Sequence, residues 1–180
     1  MVQKALFLDR DGVINVDHGY VYKLEDFHFV EGLFELCRDA IDKGYLIFVV
    51  TNQAGIGRGF YSPADFDCIT DYMCEEFFTQ GVLISKVYHC PYHPTHGIGK
   101  YKKDDELRKP NPGMILLAVE EFCLDLSTSV LIGDKYTDIQ AGQNAGIQTN
   151  ILFGGDVTSI KKGRLDFHFI SNLKEAQLLI

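Results

Sequence analysis

Near its start the chain reads ALFLDRDG at residues 5–12, four apolar residues followed by two aspartates that flank an arginine. A short apolar run that ends in polar residues predicts a buried strand, here Ala5–Leu8. Asp9 and Asp11 then lie just beyond the carboxyl end of that strand. Because side chains two residues apart on an extended chain point to the same side, we expect both carboxylates to face one site.

The rest of the chain alternates between apolar runs and helical spacing. Strands are predicted at Leu46–Val50, Lys86–Tyr88, Val130–Ile132 and Thr149–Phe153, and helices at about 31–43, 63–80, 113–123 and 137–145. This alternation predicts parallel crossovers, and so an α/β fold with a doubly wound, mainly parallel, Rossmann-like sheet. We expect a single domain over 1–180, with a long active-site loop at 89–109 and a shorter mobile connection at 154–166.

Polar residues follow three of the predicted strands. Asp9 follows the first, Thr51 and Asn52 follow the second, and Gly133 and Asp134 follow Val130–Ile132. In sheets of this kind, ligands bind beyond the carboxyl ends of the strands. The sequence therefore predicts one site in which these residues meet.

The aspartates of this site predict a metal and a reaction. Carboxylates about 4 Å apart repel one another by roughly 4 kcal/mol at an effective dielectric of 20, so a cluster of three favours a cation. Oxygen ligands suit Mg²⁺, and we expect Asp9, Asp11 and Asp134 to bind it. Asp9 would then attack phosphorus as a nucleophile, while Asp11 would act as the general acid and base.

The remaining polar residues fit phosphoryl transfer. Thr51 and Asn52 would hydrogen-bond the transferring group, and Lys109 would stabilise its charge. Each motif alone also occurs as a turn, a helix cap or a solvated charge. The ordered set favours the catalytic interpretation.

Composition limits the classes of protein. A net charge of -8 disfavours nonspecific binding to nucleic acid or to an anionic membrane. No apolar run approaches the roughly 20 residues of a membrane span. The five cysteines include no CxxC pair, which indicates reduced thiols and a cytoplasmic protein. The chain also has no long apolar heptad pattern, and we expect a monomer.

Four segments, LFLDRDGVI, VVTNQAGI, RKPNPGM and VLIGDKYTD, resemble in order the signature motifs of the haloacid dehalogenase superfamily of phosphatases. The resemblance spans about residues 5–150. It implies that Asp9 is the nucleophile, that Asp11 is the acid and base, and that Asp134 is a metal ligand. It also implies that Thr51 and Lys109 bind phosphate, with Asp138 as an outer partner.

Nearly the whole chain, including VDHGYVY, YHCPYHP and GDKYTDIQAG, is similar to the histidinol-phosphatase-like subfamily. This implies a heptose 1,7-bisphosphate substrate that loses its 7-phosphate in lipopolysaccharide synthesis, with histidinol phosphate or another small sugar phosphate as the alternative. Substrate-binding residues implied by the resemblance are Asp17, His18, Gly19, Tyr20, Gln53, Arg58, Arg108 and Lys135.

The sequence also disfavours two other functions and a cap domain. A nucleic-acid phosphatase is disfavoured by the missing basic and aromatic track, and an inactive scaffold by the complete set of catalytic residues. The short segments that separate Asp11, Thr51 and Lys109 leave no room for a large cap domain.

The resemblance also implies a structural zinc, which members of this subfamily commonly carry in the long loop, but of its four ligands only Cys90 is present here. Tyr92, Asp105 and Leu107 occupy the other positions. We therefore expect no zinc, because a structural zinc site is closed by four ligands. An alternative set is His89, Cys90, His93 and His96.

Overall fold

The computed structural model describes residues 2–154 and 166–180. Its strands are β1 (Lys4–Leu8), β2 (Tyr45–Asn52), β3 (Ile84–Cys90), β4 (Val130–Gly133), β5 (Thr149–Phe153) and β6 (His168–Ile170). Its α-helices are α1 (Leu33–Asp42), α2 (Ala54–Gly57), α3 (Pro63–Thr79), α4 (Gly113–Phe122), α5 (Tyr136–Ala145) and α6 (Leu173–Ala176). Single 3-10 turns lie at Leu24–Asp26, Gly99–Tyr101 and Leu126–Thr128.

The strands form one parallel sheet in the order β3-β2-β1-β4-β5-β6. The predicted doubly wound α/β fold is confirmed. Strand β6 was not predicted, because a run of three residues carries too little periodicity to detect. Strand β1 lies between β2 and β4, so the carboxyl ends of these three strands are neighbours.

The period of two along β1 divides the core into two layers. Leu6 and Leu8 pack with α1, α3 and α6 on one face of the sheet, whereas Ala5 and Phe7 pack with α4 and α5 on the other. All four side chains are fully buried, and each of the larger ones contributes roughly 1.5–3 kcal/mol by leaving water. This central position makes β1 a rigid support for the residues that follow it.

The helix ends follow local chemistry. Helix α3 begins after Ser62, whose hydroxyl accepts from the Asp65 N–H while the Asp65 carboxylate accepts from the Ser62 N–H. Helix α1 begins later than predicted, at Leu33, because Gly32 has a φ of 84° and cannot continue a right-handed helix.

The connections explain how the site is left open. In the described part of the chain, the link from β1 to β2 holds α1 and a 3-10 turn, and the link from β2 to β3 holds α2 and α3, with no inserted cap domain. Strand β3 extends to Cys90, so the long loop runs over 91–112 instead of starting at residue 89. Residues 155–165, most of the predicted mobile connection, lie outside the described residues. None of the described helices has the length and apolar character to cross a bilayer.

Candidate active site

The residues predicted from the strand ends lie at one edge of the sheet. Asp9 follows β1 and its N–H donates to the Ile132 carbonyl of β4. Thr51 is the second-to-last residue of β2, and Asp134 follows β4. Because β1 lies between β2 and β4 in the sheet, these three residues lie at the ends of neighbouring strands.

A cluster of three carboxylates, Asp9, Asp134 and Asp138, lies at this edge with oxygens within 4.8 Å of one another. Burial, and then the neighbouring Asp9 charge, raises the pKa of Asp134 to about 7. Asp134 Oδ1 is buried and has no hydrogen-bond partner among the described residues. An unpaired carboxylate oxygen in an acidic cluster fits a bound cation, so these residues suit Mg²⁺.

Gly12 makes room for this cluster. A Cβ atom at this position would lie 2.3 Å from Asp134 Oδ2, and its φ of +93° is one that L side chains rarely adopt. Only glycine allows the main chain after Asp11 to pass so close to Asp134.

Lys109 neutralises part of the cluster. Its Nζ lies 2.6 Å from Asp138 Oδ1 and 2.9 Å from Asp9 Oδ1, and it donates to the Val50 carbonyl at 2.8 Å. The side chain is 3% exposed. Burial alone would lower the pKa of Lys109, but the charges of Asp138 and Asp9 outweigh it and raise the pKa. The ammonium therefore stays charged in a buried position.

Asn52 holds Lys109 in place. Its Nδ2 donates to the Lys109 carbonyl and its Oδ1 accepts from the Lys109 N–H, both at 3.0 Å. The sequence suggested that Asn52 binds the substrate. In the structure both ends of its amide join the end of β2 to Lys109 in the 91–112 loop, and Asn52 also lines the cavity of the site, so its contact with substrate stays a prediction.

Asp11 lies outside the carboxylate cluster, contrary to the prediction that Asp9, Asp11 and Asp134 converge. Its oxygens accept from the Arg10 guanidinium at 2.9 and 3.0 Å, from Asn15 Nδ2 at 3.1 Å and from Gln53 Nε2 at 2.9 Å. The extended geometry ends at Asp9, since the Arg10 carbonyl accepts from three following N–H groups in a tight turn. The third member of the cluster is Asp138 instead.

Arg10 is a site residue that sequence reasoning missed. It is 1% exposed, and besides contacting Asp11 it donates from Nη2 to the Val21 carbonyl at 2.7 Å. It thereby ties the acid and base candidate to the 12–22 segment. The only sequence signal was a cation placed between two aspartates after a buried strand.

Gln53 and Tyr61 complete the surroundings of Asp11. Gln53 Nε2 donates to Asp11 and also to Thr51 Oγ1 at 2.8 Å, while the Tyr61 hydroxyl donates to Gln53 Oε1. Burial raises the pKa of Tyr61, so its hydroxyl remains a donor. Tyr61 thus fixes the orientation of the Gln53 amide. No motif in the sequence indicated Tyr61.

A cavity of about 410 Å³ opens over these residues. Of the predicted residues it is lined by Asp11, Asp17, Gly19, Tyr20, Asn52, Gln53, Arg58, Arg108, Lys109 and Lys135. Residues that line it without having been predicted there are Ala54, Gly55, Tyr61, His93 and Thr137. His18 is not among the lining residues; its exposed ring lies against His28, with the centroids 6.1 Å apart.

Comparison with known proteins identifies the family. A D-glycero-α-D-manno-heptose-1,7-bisphosphate 7-phosphatase of Campylobacter jejuni is 50% identical over 175 residues, which cover 97% of this chain and 94% of the relative. The chain belongs to this family of phosphatases. A relative of the same name from Burkholderia mallei is 58% identical over 152 residues, 84% of this chain and 80% of the relative. The HAD-hydrolase-like family model matches residues 106–176.

Solved structures support the same phosphatase family. A HAD-like phosphatase from Mesorhizobium loti superposes with a TM-score of 0.88 at 33% identity, covering 98% of this chain and 85% of that chain. The D,D-heptose 1,7-bisphosphate phosphatase of B. bronchiseptica, complexed with magnesium and phosphate, superposes with a TM-score of 0.83 at 25% identity, covering 98% and 97%.

The rim of the cavity in this phosphatase is cationic. The Arg58 guanidinium donates to the Tyr20 hydroxyl and lies 4.7 Å from the centre of the Phe60 ring. Arg108 Nη1 donates to the Tyr92 carbonyl at 3.0 Å. Lys135 Nζ lies 3.1 Å from Asp17 Oδ2. Although the chain is acidic overall, its cavity is suited to an anion.

The long loop is held by protein contacts. Lys103 Nζ lies 2.8 Å from Asp105 Oδ2 and 3.8 Å from the centre of the Tyr92 ring. The His89 ring instead packs on Phe66. In the described ranges, the carboxylate cluster is the one group of three or more possible metal ligands that lie close together. The alternative zinc set does not converge; it comprises His89, Cys90, His93 and His96. That no zinc binds remains a prediction.

Proposed function

We propose that this protein is a Mg²⁺-dependent phosphatase that removes the 7-phosphate of D-glycero-D-manno-heptose 1,7-bisphosphate through a phospho-aspartate on Asp9. The observation that carries the proposal is the pairing of buried Lys109 with Asp9 beside the unpaired Asp134 oxygen. A carboxylate nucleophile next to a cation and a metal site is what phosphoryl transfer to an aspartate requires.

Asp9 is oriented for attack through one of its two oxygens. Oδ1 accepts from the Arg10 N–H at 2.7 Å and contacts Lys109 Nζ. Among the described residues Oδ2 has no hydrogen-bond donor, and it is the oxygen that would bond to phosphorus. As that bond forms, the bond from phosphorus to the sugar oxygen breaks.

Asp11 supplies and removes the protons. It would give a proton to the departing sugar oxygen and later take one from the water that cleaves the acyl phosphate. Its three donors, Arg10, Asn15 and Gln53, hold the carboxylate in place for both steps. Because Asp11 gives one proton to the sugar oxygen and takes another from water, it is protonated again at the end of each turnover.

Thr51 and Lys109 would contact the transferring phosphoryl group. Thr51 Oγ1 accepts from Gln53 at 2.8 Å, which leaves its own hydrogen free to donate to a phosphoryl oxygen. Lys109 is already charged and fixed, so it needs no reorganisation to stabilise the developing negative charge.

Mg²⁺, when bound, would hold phosphoryl oxygens and offset their charge beside the cluster. Asp9 and Asp134 would hold it through their carboxylates. The Asp11 side chain, which was predicted as a third ligand, is engaged by Arg10, Asn15 and Gln53. Asp138 is already used: it contacts Lys109, and its Oδ2 accepts from the Lys135 N–H at 2.9 Å. We assign it an outer role, which is to hold Lys109.

The test is phosphate release from heptose 1,7-bisphosphate and from histidinol phosphate, with Mg²⁺ and with EDTA. We expect release from the bisphosphate alone, its loss in EDTA, and no release by Asp9→Asn. Both anomers should be assayed, and the α anomer is favoured because the relatives at 58% and 50% identity are named for it. Release from histidinol phosphate alone would refute the substrate while keeping the reaction.

We further propose that the protein is a single-domain monomer of the cytoplasm. All five cysteines are free thiols, as expected in a reducing compartment. A light-scattering mass near 20.3 kDa is expected, and a value of twice that would refute the monomer.

A further inference from the structure

His93 lies in the long loop, away from the strand ends that carry the catalytic residues. Its half-buried side chain lines the cavity together with Arg58 and Arg108. The chemistry of phosphoryl transfer described above gives it no role.

Hydrogen bonds fix the ring of His93 and the position of its proton. Nδ1 accepts from the Thr95 N–H at 3.2 Å and from the His96 N–H at 3.1 Å. A ring nitrogen that accepts carries a lone pair, so in the neutral ring the proton is on Nε2. The Nε2–H bond is therefore available as a donor on the opposite side of the ring.

The main chain on both sides of His93 is also held. Its N–H donates to the Tyr101 carbonyl at 3.1 Å, and its carbonyl accepts from the Gly97 N–H at 3.2 Å. These bonds limit the movement of the ring relative to the cavity wall. A donor held in this way loses little entropy when it binds a ligand.

The surroundings of His93 keep the ring neutral. Partial burial, and then the positive charges of Arg108, His96 and Arg58, lower its pKa. Near neutral pH the imidazole thus adds a directed donor to the cationic rim without adding another positive charge.

Arg58 and Arg108 show which ligand group this donor would meet. Each of them uses one guanidinium nitrogen in the protein, on the Tyr20 hydroxyl and on the Tyr92 carbonyl. Each guanidinium has five N–H donors, so others remain for an anion with several oxygens. A phosphate is such an anion, and Lys109 and the carboxylate cluster receive the one that is transferred.

We propose that His93 is a specificity residue that donates its Nε2–H to the phosphate that is retained on the substrate, beside Arg58 and Arg108. This inference rests on the proposed function, because it requires a substrate with two phosphates. It predicts that His93 affects recognition of a bisphosphate and leaves the chemical step unchanged.

The test compares His93→Asn with His96→Asn on heptose 1,7-bisphosphate and on heptose 7-phosphate. Asparagine can keep an acceptor for the Thr95 and His96 N–H groups while it loses the Nε2 donor. We expect His93→Asn to raise KM for the bisphosphate about tenfold, as for the loss of one hydrogen bond to a charged group, with kcat unchanged. Its kinetics on the monophosphate should be those of wild type.

Two controls separate this role from a structural one. His96 does not line the cavity, and His96→Asn should leave both substrates unaffected. His93→Gln, whose terminal amide can reach the Nε2 position, should restore part of the bisphosphate affinity. Melting temperatures of all variants would show that they fold.

The results distinguish the two proposals. A wild-type enzyme that releases no phosphate from the bisphosphate would refute the proposed function, and this inference with it. An active wild type with unchanged KM in His93→Asn, or an equal rise in KM for both substrates, would refute only the role of His93 at the retained phosphate.

Discussion

Replacement of Lys109 by methionine tests the electrostatic design of the site. Methionine fills a similar volume but leaves Asp9 and Asp138 buried without their common cation. At the observed separations of 2.9 and 2.6 Å, each ion pair has a gross attraction of roughly 6 kcal/mol at an effective dielectric of 20. Much of this offsets the desolvation of the charges, so the net cost is smaller.

The expected net loss of stability is that of breaking a buried ion pair. Removing one partner typically costs about 3–5 kcal/mol, and in a domain of this size each kcal/mol lowers the melting temperature by roughly 2–4 °C. We therefore expect Lys109→Met to melt roughly 10 °C lower without metal. The loss should shrink as the pH falls, because burial raises the pKa of Asp9 above its usual value and a protonated Asp9 no longer needs a cation beside it.

Thermal denaturation of the metal-free protein between acid and neutral pH is the assay, with Lys103→Met as the matched control. Lys103 also pairs with a carboxylate, at 2.8 Å, but it is 48% exposed and its loss should leave the melting temperature nearly unchanged. Adding Asp138→Asn to Lys109→Met should recover part of the stability. Equal effects of the two lysine variants, or a loss independent of pH, would refute the reasoning.

Three further predictions concern neighbouring residues. Gly12→Ala should abolish Mg²⁺-dependent phosphate release, because the new Cβ would displace Asp134. Gly19 has a similar φ, but a Cβ there would meet no atom within 4 Å. Gly19→Ala should therefore lower the free energy of unfolding, measured in urea, by only about 1 kcal/mol. Asn52→Ala should lose about 2 kcal/mol by the same measurement, for two hydrogen bonds to Lys109, and intact stability would contradict the role of Asn52. In metal-free protein the raised pKa of Asp134 means that the folded state binds the proton more tightly, so stability should fall as pH rises from 3.8 to about 7. Mg²⁺ should abolish this fall in melting temperature with pH. A melting temperature in EDTA that does not change with pH would contradict the raised pKa of Asp134.

The sequence alone was sufficient for the fold and for the edge of the sheet where the site lies. Apolar runs identify β1, β2 and β4, and parallel strands bring the residues that follow them to one edge. Asp9, Thr51 and Asp134 could be placed together for that reason. Neither step requires knowing how any side chain packs.

Only the tertiary structure decided which atoms meet. The turn after Asp9 directs Asp11 to buried Arg10, and Asp138 from the first turn of α5 takes its place in the cluster. His93 reaches the cavity because the loop after β3 folds back over α2, where the Ile98 N–H donates to the Gly57 carbonyl at 2.8 Å. Local periodicity reports which face of a strand or helix is buried, but it contains no information on where a turn aims a side chain or where a loop closes. Those contacts depend on residues far apart in the chain, and they determine the chemistry of the site.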